Sequence, residues 1–515
     1  MNSPFLARVF ARSSCAILLL AAACAARAQG LSFNLAEPPL PLKAAPDCLI
    51  AADLNGDGFI DLVTANSDNT LTVFTNQGNG IFSVAATPGV GSFPECVAAA
   101  DLNGDGKLDL ISANGMDDTL TVLTNAGGMA FVLVTNIPVG HFPSWVAAAD
   151  LNGDGKVDLV CANSDDTTLT VLTNGGGGRF IISSNYVVGP NPYFVLAADV
   201  NNDGKIDLIS ANFNGNSVTV LTNKGNGTFA LSAIYKVGVS PLFIAAADVG
   251  GNAMVDLITA NSGDGTLTVL TNRGDGTFAM MVTPIIGGIP QSVAAADVNG
   301  DGMVDLIAAD SYNNNLIVLT NCARQRFNLG ATVPAGNTPF CVAAADVNGD
   351  GWVDLICANL SDDTVSVLTN SGQLVLSQPA FSAPSGFQLV LKGIRGSVYR
   401  IDTSTNLKTW TPLQTVFMTN TAWRFSDKSA GALPARFYRA VLTAIPVLAN
   451  PAFSRPAGFH ATLYGSAGST YVIEFSTNLA TWTPLQTNLI SGSLWPFADP
   501  AATNSPHRFY RAISP

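Results

Sequence analysis

One short string recurs seven times along the chain with small variations, V-A-A-A-D-L-N-G-D-G-x-x-D-L-I. Its first aspartate falls at Asp53, Asp101, Asp150, Asp199, Asp248, Asp297 and Asp346. The spacing is 48 residues once and 49 residues thereafter. A fixed period of this length is typical of architectures in which each copy forms one supersecondary unit, such as propellers and solenoids. The 515-residue chain is too long for one compact core, which agrees with a repeat array.

Each copy has the pattern of four short strands separated by turn residues. In the second copy, residues 97–100, 109–111 and 119–124 have the composition of strands. In the fourth copy, a Gly-rich turn precedes a further strand that begins at Phe229. Four-stranded units of this length are propeller blades, and the alanines of the first strand suit a crowded central axis. We therefore predict an all-β protein in which residues 29–376 form a seven-bladed β-propeller.

The two ends of the repeat region predict that the blades close into a ring. The seventh copy lacks the usual fourth strand after Asn370. A spare strand stands before the first copy, because Phe33 precedes Asp53 by 20 residues and Phe327 precedes Asp346 by 19. We expect Phe33 and its neighbours to complete the seventh blade, which leaves no open sheet edge in the ring.

The nine-residue string D-x-N-G-D-G-x-x-D, between the first and second strands of a copy, predicts a calcium site. Hard cations bind six to eight oxygens, and closely spaced carboxylates in a tight turn supply them. Mg²⁺ is disfavoured in such a cage. The loop is not an EF-hand, because it has no Glu at the twelfth position. The predicted ligands are Asp53, Asn55, Asp57, Asp61; Asp101, Asn103, Asp105, Asp109; Asp150, Asn152, Asp154, Asp158; Asp199, Asn201, Asp203, Asp207; Asp297, Asn299, Asp301, Asp305; and Asp346, Asn348, Asp350, Asp354.

The fifth copy departs from this pattern, so we expect about six Ca²⁺ ions rather than seven. Between Asp248 and Asp256 it carries Gly250, Asn252 and Ala253 in place of the usual amide, carboxylate and glycine. This loop is expected to bind weakly or not at all. The alternative for all the loops is a set of Asx-type turns that need no metal.

The motif and its period together resemble the FG-GAP or VCBS repeats of integrin-α-type propellers. The resemblance covers about residues 30–376 and rests on the agreement of motif and period in seven copies. It implies calcium-binding blade hairpins and a secreted or surface-exposed adhesion or ligand-binding module, not an enzyme. It does not identify the ligand, which we expect to be an extracellular protein or a polysaccharide.

A second set of candidate residues precedes each first strand, beside a proline that stands seven residues before the first aspartate. Aromatic residues gather there, and strand order places them on the face opposite the calcium loops. The predicted ligand-binding residues are Phe93, Phe142, Trp145, Tyr193 and Phe340, with Phe194 and Phe243 nearby. Aromatic rings of this kind stack on sugars or hold a protein partner. The alternative is that they fill the axis and the gaps between blades.

The first 28 residues read as a secretory signal. Arg8 and Arg12 precede an apolar stretch at residues 16–23, and an A-x-A cleavage site ends at Ala28. We expect a secreted or cell-surface protein without membrane insertion after signal removal. Two alternatives rank lower: a membrane anchor, for which the apolar run is short, and a lipoprotein acylated at Cys24.

Composition narrows the function classes. The net charge of −13 argues against nucleic acid as a partner. Three widely separated histidines argue against a zinc site or a His-driven triad. No nucleophile motif is evident, so we predict a binding protein rather than an enzyme. A lectin-like glycan binder is the alternative, and a polysaccharide-acting propeller enzyme is a more distant one.

The remainder of the chain contains a second repeat with a period of 72 residues. Phe381 and Tyr438 match Phe453 and Tyr510 in similar surroundings. Each unit has the pattern of several short strands with Gly and Pro turns. We predict two small β-sandwich-like modules, at residues 377–446 and 447–515.

Overall fold

The computed structural model describes residues 7–10, 31–35, 38–322, 326–370 and 372, together with strands and adjoining residues between 375 and 513. All regular structure in these residues is β-strand. The chain divides into two compact units, one of residues 22–371 and one of residues 1–21 with 372–515.

The first unit is the predicted seven-bladed propeller. Its innermost strands are Pro46–Ala52, Pro94–Ala100, Pro143–Ala149, Pro192–Ala198, Pro241–Ala247, Pro290–Ala296 and Pro339–Ala345. The second strands are Asp61–Asn66, Asp109–Asn114, Asp158–Asn163, Asp207–Asn212, Asp256–Asn261, Asp305–Asp310 and Asp354–Asn359. The third strands are Thr70–Asn76, Thr119–Asn125, Thr168–Asn174, Ser217–Asn223, Thr266–Asn272, Asn315–Asn321 and Thr364–Asn370. The outer strands of blades 1 to 6 are Phe82–Ala86, Phe131–Pro138, Phe180–Val187, Phe229–Lys236, Phe278–Val282 and Phe327–Pro334.

Within each blade the strands pair antiparallel in chain order, from the axis outward. Every residue of the second strand is buried in all seven blades, because this strand lies between two strands of its own sheet and between two neighbouring blades. Its Leu, Val and Ile residues pack into the hydrophobic clusters that join adjacent blades. The near-continuous apolar pattern of the second strand follows from this burial on both faces.

The ring closes as predicted, with a strand from the N-terminal side completing blade 7. Phe33–Leu35 pairs with Thr364–Asn370, and Phe33 lies opposite Asn370. Phe82 lies opposite Asn76 in the same register in blade 1. Leu40–Pro41 adds a second short pairing to the same strand. The third strand of blade 7 is therefore covered, and blade 7 presents no bare edge there.

An asparagine at the end of each third strand connects its blade to the preceding one. In blade 2, the Asn125 side-chain amide donates to the backbone carbonyl of Leu54 in the loop of blade 1, at 2.9 Å. Blade 1 completes the circle, because Asn76 donates to the carbonyl of Val347 in blade 7 at 2.7 Å. The same bond recurs at all seven boundaries. Each of these amides is buried, so the bond satisfies a donor and an acceptor that water does not reach.

The second unit contains the two predicted C-terminal modules as small β-sheets. In the first module, Val375–Ser382, Gly386–Lys392 and Ala422–Asp427 form one sheet, and Val398–Ser404, Thr411–Phe417 and Ala435–Leu442 form another. In the second, Val447–Ser454, Gly458–Tyr464 and Leu494–Asp499 form one sheet, and Thr470–Ser476, Thr483–Leu489 and Phe509–Ile513 form another. The two modules share a hydrogen bond at equivalent positions of the 72-residue repeat. The Tyr438 hydroxyl donates to Asp427 at 2.7 Å, and the Tyr510 hydroxyl donates to Asp499 at 2.8 Å.

Part of the predicted signal segment lies in this second unit. Ala7–Phe10 pairs antiparallel with Ala435–Leu442. The predicted apolar stretch, cleavage site and Cys24 lie outside the described residues. Among the residues that the structure describes, no helix has the length and apolar character to cross a membrane.

Candidate functional site

The two ends of the propeller carry different loops. The D-x-N-G-D-G-x-x-D loops connect the innermost and second strands, and we call their end the aspartate face. The loops that carry each blade to the next innermost strand lie at the other end, which we call the proline face. Register confirms the separation: in blade 1, Ala52 pairs with Asp61 at one end of the hairpin and Pro46 with Asn66 at the other.

The first aspartate of each loop organises the turn. The Asp53 carboxylate accepts N–H hydrogen bonds from Gly56, Asp57 and Gly58 at 2.8, 3.2 and 2.8 Å. The Asn55 side-chain oxygen accepts the N–H of Asp57 at 2.8 Å. In the five other complete loops, the first aspartate again accepts the N–H groups of the fifth and sixth positions, which are the equivalents of Asp57 and Gly58. These are hydrogen bonds of Asx-type turns, so the loop chain has a defined shape by itself.

The ninth aspartate of each loop is completely buried and joins three parts of the blade. One oxygen of Asp61 accepts the N–H of Leu54 at 3.0 Å, and the other accepts the N–H of Asn76, at the end of the third strand, at 2.8 Å. The same two bonds occur in all seven blades. The residue that sequence predicts as a ligand is therefore also a structural acceptor.

Carboxylates of the same loop repel one another electrostatically. Burial raises the pKa of Asp61, and the charges of Asp57 and Asp53 raise it further. The same causes raise the pKa of Asp305 to about 8 and that of Asp354 to about 7. The six complete loops thus bring their first, fifth and ninth carboxylates close enough to repel, although the sequence separates them by four residues each.

The donors suit a hard cation, since each complete loop offers three carboxylates and one amide oxygen. Among the described residues, no three Asp, Glu, His or Cys side chains are already arranged as a metal cage. Each oxygen that accepts one N–H retains a further lone pair for a cation. In three loops the fifth carboxylate contacts the lysine two residues later, as Asp154 contacts Lys156 at 2.9 Å. These exposed pairs contribute little, so a divalent ion could replace them.

The fifth loop keeps its backbone shape without the full donor set. Asp248 accepts the N–H groups of Asn252 and Ala253 at 3.0 and 2.6 Å. Ala253 adopts a φ of +63°, where the other complete loops have glycine. The charge of Asp248 acts on buried Asp256, but no carboxylate stands at the fifth position. The expectation of a weak or empty fifth site remains a prediction.

On the proline face, the turn between the second and third strands holds the loop into the next blade. Asp118 accepts the N–H of Phe142 at 2.9 Å, and Asn69 accepts that of Phe93 at 2.9 Å. Asp117, in the turn of blade 2, accepts the N–H of Ser92 in the loop that enters the same blade, at 2.6 Å. These bonds fix Phe93 and Phe142 at φ of +58° and +51°. The paired aspartates of these turns therefore have a structural role.

A small pocket lies where the innermost strands of all seven blades meet on the proline face. We call it the axial pocket. Its lining comes from the second or third residue of each innermost strand: Asp47, Glu95, Trp145, Tyr193, Leu242, Phe243, Gln291, Ser292, Phe340 and Cys341. The seven blades thus contribute unlike side chains to one small volume.

The five predicted aromatic residues separate into two groups. Trp145, Tyr193 and Phe340 line the axial pocket. Phe93 and Phe142 lie in the loops before their strands, with ring centroids 6.3 Å apart, and are not among the pocket residues. The alternative of filling the axis holds for Phe194, which is buried between Trp145 and Phe243 at centroid distances of 4.3 and 4.4 Å.

Sequence reasoning missed the polar side of this pocket. Asp47, Glu95 and Gln291 each follow the proline of their copy directly. A signal was present, since this position holds a different residue in each of the seven copies while the proline before it is the same in all of them. Glu95 is moreover one of three glutamates in the chain.

The acidic pair predicts an unusual pH dependence of stability. Burial, with the nearby charge of Glu95, raises the pKa of Asp47 from 3.8 to about 7. A raised folded pKa gives stability that is complete below about pH 4 and is lost as pH rises through 7. Asp47→Asn should therefore increase the free energy of unfolding by about 2 to 4 kcal/mol at pH 8 and by almost nothing at pH 4. Denaturant unfolding of both proteins at the two pH values measures this, and an equal effect at both would contradict it.

Comparison with known proteins agrees with the repeat architecture. A family model described as FG-GAP-like repeat matches residues 53–112, 101–161, 150–210, 199–259, 248–308 and 297–357. The chain therefore belongs to the FG-GAP-like repeat family. The expected resemblance is confirmed, and a propeller of this type fits a binding module. The search of curated proteins finds no match.

Solved structures share the fold at low sequence identity. The BBS1N structure in complex with ARL6DN, soaked with mercury, has a TM-score of 0.50 and 14% identity, and the match covers 66% of this chain and 97% of that chain. A protein from Bacteroides fragilis described as a candidate 6-phosphogluconolactonase has a TM-score of 0.45 and 16% identity, covering 57% and 86%. A protein of unknown function from Desulfotomaculum acetoxidans has a TM-score of 0.41 and 15% identity, covering 56% and 89%. At these identities the likeness concerns the fold alone.

Proposed function

We propose that this chain is an exported, calcium-stabilised binding propeller that recognises an extracellular protein or polysaccharide through its proline face. The observation that carries the proposal is the axial pocket. The strands, loops and asparagine bonds repeat from blade to blade, whereas the pocket positions differ. A rigid repeated scaffold that brings unlike side chains to one concave place is typical of a recognition site.

In this proposal calcium has a structural role. The first, third, fifth and ninth residues of the six complete loops would hold it. A bound divalent ion would neutralise the repulsion among the three carboxylates and stabilise the hairpin. Because each loop also accepts a bond from the next blade's asparagine, as Leu54 does from Asn125, a fixed loop would stabilise the blade boundary as well.

Support for a macromolecular partner comes from the domain in BBS1N, which is a partner of ARL6DN in its solved complex. The proposed role is non-enzymatic, because the axial pocket is small and two of its described ionisable groups are hydrogen-bonded to each other. Tyr193 donates its hydroxyl to Glu95 at 2.8 Å. A glycan ligand is the alternative, because the aromatic residues of the same pocket can stack on sugars.

The test is binding of the purified protein to an array of glycans and extracellular matrix proteins, in calcium and again in chelator. We expect calcium-dependent binding to one class of ligand, since loss of the loops would loosen the blades that build the proline face. A matched protein carrying Phe340→Ala should lose that binding while it keeps its calcium stoichiometry. Absence of binding in both buffers would contradict the recognition role.

A further inference from the structure

We infer that the axial pocket binds the positively charged end of an organic cation, an ammonium or guanidinium group. This inference rests on the proposed recognition function and adds the chemical class of the group that enters the pocket. The argument combines an acidic wall that has no basic partner with an aromatic wall, both within one small concavity.

The acidic wall comes from Asp47 and Glu95 on adjacent innermost strands. Glu95 is only 8% exposed, and Tyr193 is its one hydrogen-bond partner among the described residues, through one carboxylate oxygen. The second oxygen accepts no hydrogen bond there. Asp47 makes no hydrogen bond or ion pair within the described part of the chain. Among the residues that the structure describes, no Lys, Arg or His lines the pocket.

A buried carboxylate and a half-buried one without a cation are costly, because desolvation penalises each charge and the like charges repel. Burial raises the pKa of both groups, which agrees with an uncompensated site. Each ninth loop aspartate has at least two backbone N–H partners, whereas Glu95 has one tyrosine hydroxyl and Asp47 has no partner among the described residues. The axial acids differ, so their charge is left for a ligand to neutralise.

The aromatic wall comes from other blades of the ring, with Trp145 on the blade next to that of Glu95 and Phe340 on the blade next to that of Asp47. Trp145 packs edge-on against Phe243 at a centroid distance of 5.4 Å, and both rest on buried Phe194. Phe340 completes the aromatic lining. Aromatic faces attract ammonium and guanidinium groups, most strongly at Trp, and the attraction grows when water is excluded. A neutral sugar would use the rings but leave the two carboxylates uncompensated.

The experiment titrates the full chain with choline at pH 8 and follows calorimetric heat and Trp fluorescence. The control ligand is 3,3-dimethylbutan-1-ol, which has the same shape without the charge. We expect saturable choline binding at least about tenfold tighter than that of the alcohol. Glu95→Gln and Asp47→Asn should each weaken choline binding about tenfold or more, whereas Asp165→Asn, the same change at an exposed position of the proline face, should not.

Further ligands identify the source of the cation. Nα-acetyl-lysine amide and Nα-acetyl-arginine amide represent a protein partner's side chains, and tighter binding of either than of choline would indicate one. Equal binding of the alcohol, no binding of any of the three cations, or retention of choline by Glu95→Gln would overturn the inference. Displacement of choline by Ca²⁺ alone would also overturn it, in favour of a metal.

Failure of this inference is distinguishable from failure of the proposed function. A calcium-dependent array ligand that still binds the Glu95→Gln protein would preserve the recognition role and reject the cation. Choline binding without any array ligand would do the reverse. Thermal unfolding of each variant confirms that the ring is intact, since Asp47→Asn is expected to stabilise it.

Discussion

Chelation of calcium is expected to lower the thermal midpoint of the propeller by roughly 15 °C or more. A ligand that binds only the folded state at one hundred times its dissociation constant contributes about 2.7 kcal/mol per site. Six such sites in one closed ring add up, because the asparagine bonds couple each loop to the next blade. Calorimetry in millimolar calcium and in chelator measures the shift, and titration of the chelated protein should find about six sites.

The control for this prediction is magnesium at the same concentration, which should restore little of the midpoint because it tolerates cages of several carboxylates poorly. A midpoint that is insensitive to chelator, or a titration that finds one site or none, would contradict the calcium proposal. The loops would then be Asx-type turns that hold their shape through the N–H bonds of their first aspartate alone.

The second large effect is expected for Asp158→Ala in blade 3. Its carboxylate accepts the N–H of Leu151 at 3.1 Å and that of Asn174 at 2.8 Å, and the side chain is fully buried. Removing it leaves two buried donors without partners and takes one ligand from the predicted calcium site. We expect a loss of about 3 to 6 kcal/mol in the free energy of unfolding in calcium, measured by denaturant titration.

Blade 5 supplies a matched control within the same molecule. Asp256 accepts the N–H groups of Val249 and Asn272 at 3.2 and 2.8 Å, in the manner of Asp158, and also that of Gly250 at 3.1 Å, but its loop lacks the donor set for calcium. Asp256→Ala should cost about 2 to 4 kcal/mol with no dependence on calcium. Asp158→Ala should cost more, should lose one calcium, and should resemble Asp256→Ala once chelator is present. Equal costs in calcium would show that the ninth aspartate is structural only.

Most of the fold could be predicted from the sequence because of the repeat. A 49-residue period with four strand patterns was sufficient for seven blades, and the displaced Phe33 was sufficient for ring closure, because each depends on local pattern and counting. The hydrogen bonds of Asp61 to Leu54 and Asn76 were beyond reach, since they join residues that only the folded blade brings together. The hydrogen bond from the Phe142 N–H to Asp118 was equally unpredictable, because folding brings these two residues together.

The axial pocket was only half predictable. Its aromatic residues stand out by type, and Trp145, Tyr193 and Phe340 were expected on the correct face. Asp47 did not stand out, because it belongs to a residue type that the chain uses in many turns, and the rarity of Glu95 as one of three glutamates was a signal that the sequence analysis did not use. Their meeting depends on seven strands converging on one axis, and sequence separation from Asp47 to Phe340 gives no hint of that proximity.

The position directly after each proline gives the ring an evolutionary freedom that the rest of the blade lacks. Elsewhere in the blade a substitution must be matched by a change in the neighbouring blade, since the asparagine of every blade donates a hydrogen bond to the blade before it. Seven different residues stand at this position, and all but Ser144 line the axial pocket: Asp47, Glu95, Ser144, Tyr193, Leu242, Gln291 and Phe340. Duplication can thus spread the scaffold unchanged, while point mutation at this position changes the lining of the axial pocket one blade at a time.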